Sequence, residues 1–81
     1  MTKFQLLNHL EKAGLLRHLM NEGIISKHIF MRYERYKDLM ERLAAHPEEK
    51  RAFIITDWAI ELELSNQSIY KDIRLMEKVI L

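Results

Sequence analysis

The segment Trp58-Ala59-Ile60-Glu61-Leu62-Glu63-Leu64-Ser65-Asn66-Gln67-Ser68-Ile69-Tyr70-Lys71-Asp72-Ile73-Arg74 reads as two helices meeting at a tight turn. Ser65 carries the side-chain oxygen that an N-cap uses to accept from an orphan N–H of the first turn. Leu64 and Ile69 stand at the two positions of a hydrophobic staple across that cap. Ala59 is small enough to let the two helices approach, and Leu62, Leu64, Ile69 and Ile73 are the apolar side chains expected between them. After the cap a helix is predicted from Asn66 to about Lys78, with Ile69, Ile73, Met76 and Ile80 as its buried stripe. The same period turns Asn66, Gln67, Tyr70, Lys71 and Arg74 outward.

Upstream, Pro47 suits the first position of the preceding helix, and Glu48 and Glu49 favour its positive end. That helix is expected to run to about Leu64. The β-branched run Ile54-Ile55-Thr56 lowers helix propensity, and a break with Thr56 as a second N-cap is the alternative. Further back, Ser26 is a suitable cap for a helix reaching about Ala45. Ile29, Tyr33, Tyr36, Met40 and Leu43 make one stripe along it. Lys27, Arg32, Arg35, Asp38 and Arg42 fall on the other face, with Asp38 and Arg42 one turn apart. At the N-terminal end Thr2 and Gln5 match a capping box ahead of Phe4, Leu7 and Leu10. Gly14 and Gly23 are expected helix stops, because only glycine enters the left-handed conformation without steric cost. A short helix from about Leu15 to Glu22 lies between them. His9-Leu10 and His18-Leu19, each followed by three residues, a glycine and two aliphatics, use the same stop twice. No Asn-Gly or Asp-Gly hairpin dipeptide is present, and strands are not expected.

Eighty-one residues make one domain, and a 48% hydrophobic share is ordinary for a globular chain. The absence of cysteine excludes disulfide staples, thiolate catalysis and cysteine-type zinc sites. No apolar run approaches the roughly 18 residues of a membrane span. The opening Met1-Thr2-Lys3-Phe4 leads into a segment broken by Asn8, His9, Glu11 and Lys12, unlike a signal peptide, and a cytoplasmic location is expected. Residues 1–46 carry eight Lys/Arg against five Asp/Glu, whereas residues 47–81 carry five against seven. The half with the two-helix pattern is therefore the acidic one.

The Trp58–Arg74 segment resembles the helix-turn-helix of bacterial transcription regulators and site-specific recombinases. The likeness rests on Ala59, on Leu62 three positions later, on Leu64-Ser65 at the turn and on Ser68-Ile69-Tyr70-Lys71 opening the second helix. It covers about a quarter of the chain. The family commonly has glycine in the turn where this chain has Glu63, and many members add a β-hairpin wing for which only Val79, Ile80 and Leu81 are present here. The resemblance implies an all-α fold: a compact bundle of four to five helices ending in a helix-turn-helix without a wing. Residues 1–46 would be supporting or dimerising helices and residues 47–81 the helix-turn-helix, all within a single domain. It implies a sequence-specific partner of double-stranded DNA, a transcriptional regulator or DNA-binding module, with helix 66–78 in the major groove. The DNA-binding set is then Ser65, Asn66, Gln67, Ser68, Tyr70, Lys71 and Arg74. Gln67 or Asn66 would pair with adenine and Lys71 or Arg74 with guanine, while Ser65, Ser68 and the helix N-terminus would meet phosphate. A homodimer is expected, because one such helix reads few base pairs.

Each of these residues also has a plainer reading. Lys71, Arg74 and Lys78 resemble any solvated helix face, with Asp72 and Glu77 offsetting their charge. Arg32, Arg35 and Lys37 read as solvated more readily than as phosphate contacts. Phe30, Tyr33, Tyr36 and Trp58 read as core. His9, His18, His28 and His46 lack one-turn pairing, so no metal is expected, and no cofactor. Ser26, Ser65 and Ser68 read as caps, no phosphate loop or serine motif is present, and no enzyme activity is expected. The alternative function is a protein-interaction or assembly module that keeps the helix-turn-helix shape without binding DNA.

Overall fold

The caps set the helix boundaries. In the computed structural model, which describes residues 1–81, five helices follow one another: α1 Lys3–Lys12, α2 Leu16–Asn21, α3 Lys27–Ala45, α4 Arg51–Glu61 and α5 Asn66–Met76. The capping box of α1 is present: the Gln5 amide donates to Thr2 Oγ1 at 3.1 Å and the Thr2 amide to Gln5 Oε1 at 2.8 Å. Ser26 caps α3 by accepting from the Ile29 amide, and Ser65 caps α5 by accepting from the Ser68 amide. The fold is all-α, and no helix is long and apolar enough to cross a membrane.

Three helices stop in the same way. Gly14 has φ 76°, the Leu15 amide donates to the Leu10 carbonyl and the Gly14 amide to Glu11, which is a Schellman closure. Gly23 repeats it, with Ile24 donating to Leu19 and Gly23 to Met20. The third copy ends α4: Leu64 donates to Ala59 and Glu63 to Ile60, with Glu63 at φ 57°. Glutamate thus occupies the left-handed position that glycine fills in the other two.

α3 is the hub, packing on both α4 and α5, while α1 packs on α2 and α5. The core comprises Leu7, Leu16, Tyr33, Tyr36, Leu39, Ile54, Ile55, Trp58, Ala59, Ile69, Ile73 and Met76. Of the expected α3 stripe, Tyr33 and Tyr36 are buried and Ile29, Met40 and Leu43 are packed against the core. Leu39, outside that stripe, is buried as well. Between α1 and α3, the Tyr33 hydroxyl donates to Glu11 at 2.9 Å, and Lys37 donates to the same carboxylate oxygen at 2.9 Å. The Lys37 hydrogen bond holds the Glu11 carboxyl below the usual range, against the opposing effect of desolvation.

Several boundaries differ from expectation. α4 begins at Arg51, because Pro47 and Glu48 form a turn closed by the Glu49 amide on the His46 carbonyl. His46 offers no side-chain oxygen to a helix starting at Pro47, so the chain turns first and enters the helix through Lys50. The break at Thr56 does not occur. Ile54 and Ile55 are buried, and this packing outweighs their weak propensity. The Thr56 hydroxyl meanwhile donates to the Ala52 carbonyl one turn back. α5 stops at Met76, two residues early, and the chain then runs antiparallel to its own beginning. Lys3 donates to the Lys78 carbonyl at 2.9 Å, and Thr2 and Val79 form an isolated bridge. Ile80 consequently leaves the α5 stripe and is exposed. The expected Asp38–Arg42 pair is also absent. Arg42 reaches across to Glu61 at 2.8 Å and stacks 4.1 Å from the Trp58 ring centroid.

Candidate functional site

The capped end of α5 and the connection Leu62–Ser65 bring the polar residues singled out in the sequence onto one surface. They divide into two groups. Ser65, Asn66 and Ser68 hold the local structure. Ser65 Oγ accepts from the Ser68 amide at 3.2 Å and shares a hydrogen bond with Ser68 Oγ at 3.1 Å. Asn66 Nδ2 donates to Thr56 Oγ1 at 3.1 Å, fastening the start of α5 to α4. Gln67, Tyr70, Lys71 and Arg74 are exposed, and none has a side-chain hydrogen bond or ion pair within the protein. Their spacing of three, one and three residues aligns them along one side of the helix.

The opposite side of α5 buries Ile69, Ile73 and Met76 with one charged residue among them, Asp72, which is 2% exposed. Two arginines of α3 hold its carboxylate. Arg32 Nε donates to Oδ1 at 2.7 Å, while Arg35 Nε donates to Oδ2 at 2.8 Å and its Nη2 to Oδ1 at 3.0 Å. This corrects two expectations. Asp72 does not offset Lys71 and Arg74 on the outer face, and Arg32 and Arg35 are not a freely solvated face. The cause is helical phase: Asp72 falls three residues after Ile69 and one before Ile73, inside the buried stripe. A carboxylate carried there requires partners, and two arginines one turn apart on α3 supply them. Lys37 also leaves the expected solvated face, through its bond to Glu11.

The pairing redistributes charge. Arg32 and Arg35 belong to the basic half of the chain, yet they stand beside α5 in the acidic half and exceed the single charge of Asp72. With Lys71 they line a concavity of about 180 Å³, completed by His28, Ser68 and Asp72 itself. Sequence reasoning missed His28 and the arginines as neighbours of α5, because their partners lie about forty positions away.

Further along, the Tyr36 hydroxyl donates to Glu77 Oε2 at 2.7 Å, and Arg51 stands 3.5 Å from the same oxygen. Burial, reinforced by the Glu77 carboxylate, pushes the Tyr36 phenol well above its ordinary value. At the α3–α4 corner His46, Glu48 and Glu49 bring one ligand atom each within 4.8 Å of one another, all three residues being exposed. Nothing buried or preorganised accompanies them, and surface acids cluster in this way without a metal. A shallow apolar groove of about 400 Å³ lies between α1, α2 and the start of α3, lined by Leu6, Leu10, Leu19, Ile25 and Ile29. The Trp58 indole N–H is buried without a hydrogen-bond partner. No family model matches this chain, and neither a curated relative nor a solved structure matches it.

Proposed function

We propose that this chain is a small helix-turn-helix DNA-binding protein or module acting in transcription regulation, with α4 and α5 as its two helices and α5 entering the major groove. One observation carries the reading: the outer side of α5 presents Gln67, Tyr70, Lys71 and Arg74 without intramolecular partners, while the only acid on the helix itself is turned inward and neutralised. Gln67 has the donor and acceptor geometry to read adenine, and Arg74 that to read guanine, while Lys71, at the α3 side of the helix, suits the backbone. Tyr70 offers a hydroxyl to phosphate or base. Ser65, Asn66 and Ser68 act by fixing the angle at which α5 leaves the turn. Glu63 at positive φ supports the same reading, since the backbone of the connection takes the conformation for which the family commonly uses glycine. The working unit is a homodimer on half-sites about one helical turn, roughly 34–36 Å, apart.

The second reading, a protein-interaction module of the same shape, is favoured by α4, where Phe53 and Ile60 are 63% and 70% exposed. Fluorescence anisotropy against a random-sequence duplex pool separates the two. The DNA reading expects salt-sensitive binding at about 50 mM salt, lost in Lys71→Ala/Arg74→Ala. A folded helical protein with no affinity at low salt, or a double mutant that binds as well as the parent, removes it in favour of the interaction module.

A further inference from the structure

We propose that the concavity between α3 and α5 bounded by His28, Arg32, Arg35, Ser68, Lys71 and Asp72 is a binding site for a phosphate group; within the DNA reading above, on which this assignment of source rests, the occupant is a backbone phosphodiester beside the groove that α5 enters.

The first ground is unused donor capacity. A guanidinium has five N–H donors. Arg32 uses only its Nε on Asp72, so both of its Nη groups have no partner in the protein. Arg35 uses Nε and one Nη, leaving the other. Lys71 has no acceptor at all. The second ground is charge. Three cationic side chains line this space against one carboxylate, and that carboxylate already accepts three N–H bonds and is almost fully buried. Arg35 alone makes a two-point contact with Asp72, which leaves Arg32 as the surplus cation. The third ground is rigidity. Arg32 and Arg35 have side chains only about a fifth exposed, pinned through their Nε atoms, so the remaining donors are held in place rather than swinging in solvent. Planar guanidinium forks fixed in this way suit phosphate oxygens. The Ser68 hydroxyl and the His28 imidazole complete the rim. A volume of about 180 Å³ corresponds to several waters, enough for a phosphate with part of its hydration.

The test uses the whole chain and the single variants Arg32→Gln and Lys71→Gln. Lys71 is exposed, and Asp72 retains Arg35 when Arg32 is replaced; circular dichroism checks the fold of each. Inorganic phosphate is titrated at constant ionic strength against chloride, with NMR reading the Arg Nε–H signals and the Ser68–Asp72 amides. The expected result is a saturable shift with phosphate but not chloride, absent from both variants. In parallel, duplex affinity is measured across salt. Losing one phosphate contact lowers the slope of log K against log salt by about 0.9, so between 50 and 200 mM a variant loses about threefold less affinity than the parent. A reduced slope in Arg32→Gln assigns the backbone as the source. Saturable phosphate shifts with an unchanged slope, or with no duplex binding by the parent, leave the pocket in place, make free phosphate its source and, in the latter case, discard the DNA reading. Shifts no larger than with chloride, together with an unchanged slope or no duplex binding, overturn the site.

Discussion

α5 carries two four-residue stripes of identical spacing and opposite fate. Ile69, Asp72, Ile73 and Met76 lie inward, and Gln67, Tyr70, Lys71 and Arg74, at the same intervals two residues earlier, lie outward. The inward stripe is satisfied to the last atom, since even its charge has three hydrogen bonds from α3. The outward stripe has no side-chain polar partner. A helix whose inner side is pinned by a directional ion pair cannot roll about its axis, and so the outer four residues keep a fixed aspect.

The comparison breaks hardest at Asp72. Asp72→Ala should lower unfolding free energy by about 2 kcal/mol in urea titrations, less than the full cost of opening a buried pair because both arginines are partly exposed and can rehydrate. If stability is unchanged, the inner side is held by apolar packing alone. Next comes Tyr36→Phe, which removes a hydrogen bond to the Glu77 carboxylate just past the end of α5 and should cost about 1 kcal/mol, Glu77 being exposed. Burial raises the Tyr36 phenol, so the folded chain holds that proton more tightly than the unfolded chain. The corresponding stability is complete below about pH 10 and falls as pH rises above it. Tyr36→Phe should therefore flatten part of the alkaline decline. Tyr33, also raised by burial, leaves a remainder.

What was legible in the chain follows from the range of each interaction. Caps and stops are local: Thr2 with Gln5, Ser26, Ser65, Gly14 and Gly23 all sit within four residues of the groups they satisfy, and each acts where its residue type indicates. The outward set on α5 follows from helical period alone. The start of α4 was misread because proline at a first helical position still needs a cap before it, and His46 is none. Asp72 was misread because an acid next to Lys71 looks like a surface charge until its phase is compared with Ile69 and Ile73. Its partners Arg32 and Arg35, and the partnership of Arg42 with Trp58 and Glu61, depend on how α3 crosses the C-terminal helices, which no local pattern contains.

Glu63 sharpens the comparison from the turn that sets the start of both stripes. Gly14 and Gly23 have open space where a Cβ would stand, so replacing either by alanine is penalised through its positive φ alone, by about 1 kcal/mol. Glu63 already bears that cost at φ 57°, and Glu63→Gly should recover about 1 kcal/mol in thermal or urea unfolding. A destabilised Glu63→Gly variant would mean that the glutamate side chain contributes more than its backbone strain takes away.

The smallest effect on stability belongs to the outer stripe. Lys71→Ala/Arg74→Ala should shift unfolding free energy by less than about 0.5 kcal/mol, because both residues are exposed and neither holds another group of the protein. Set beside Asp72→Ala, three residues on the same helix then separate into one that keeps α5 in place and two that leave the fold indifferent. A loss of 1 kcal/mol or more in the double mutant would contradict this division, placing Lys71 or Arg74 among the groups that hold α5 to α3. The outer stripe would then be part of the scaffold, and loss of duplex binding in that mutant would no longer report on contact with DNA.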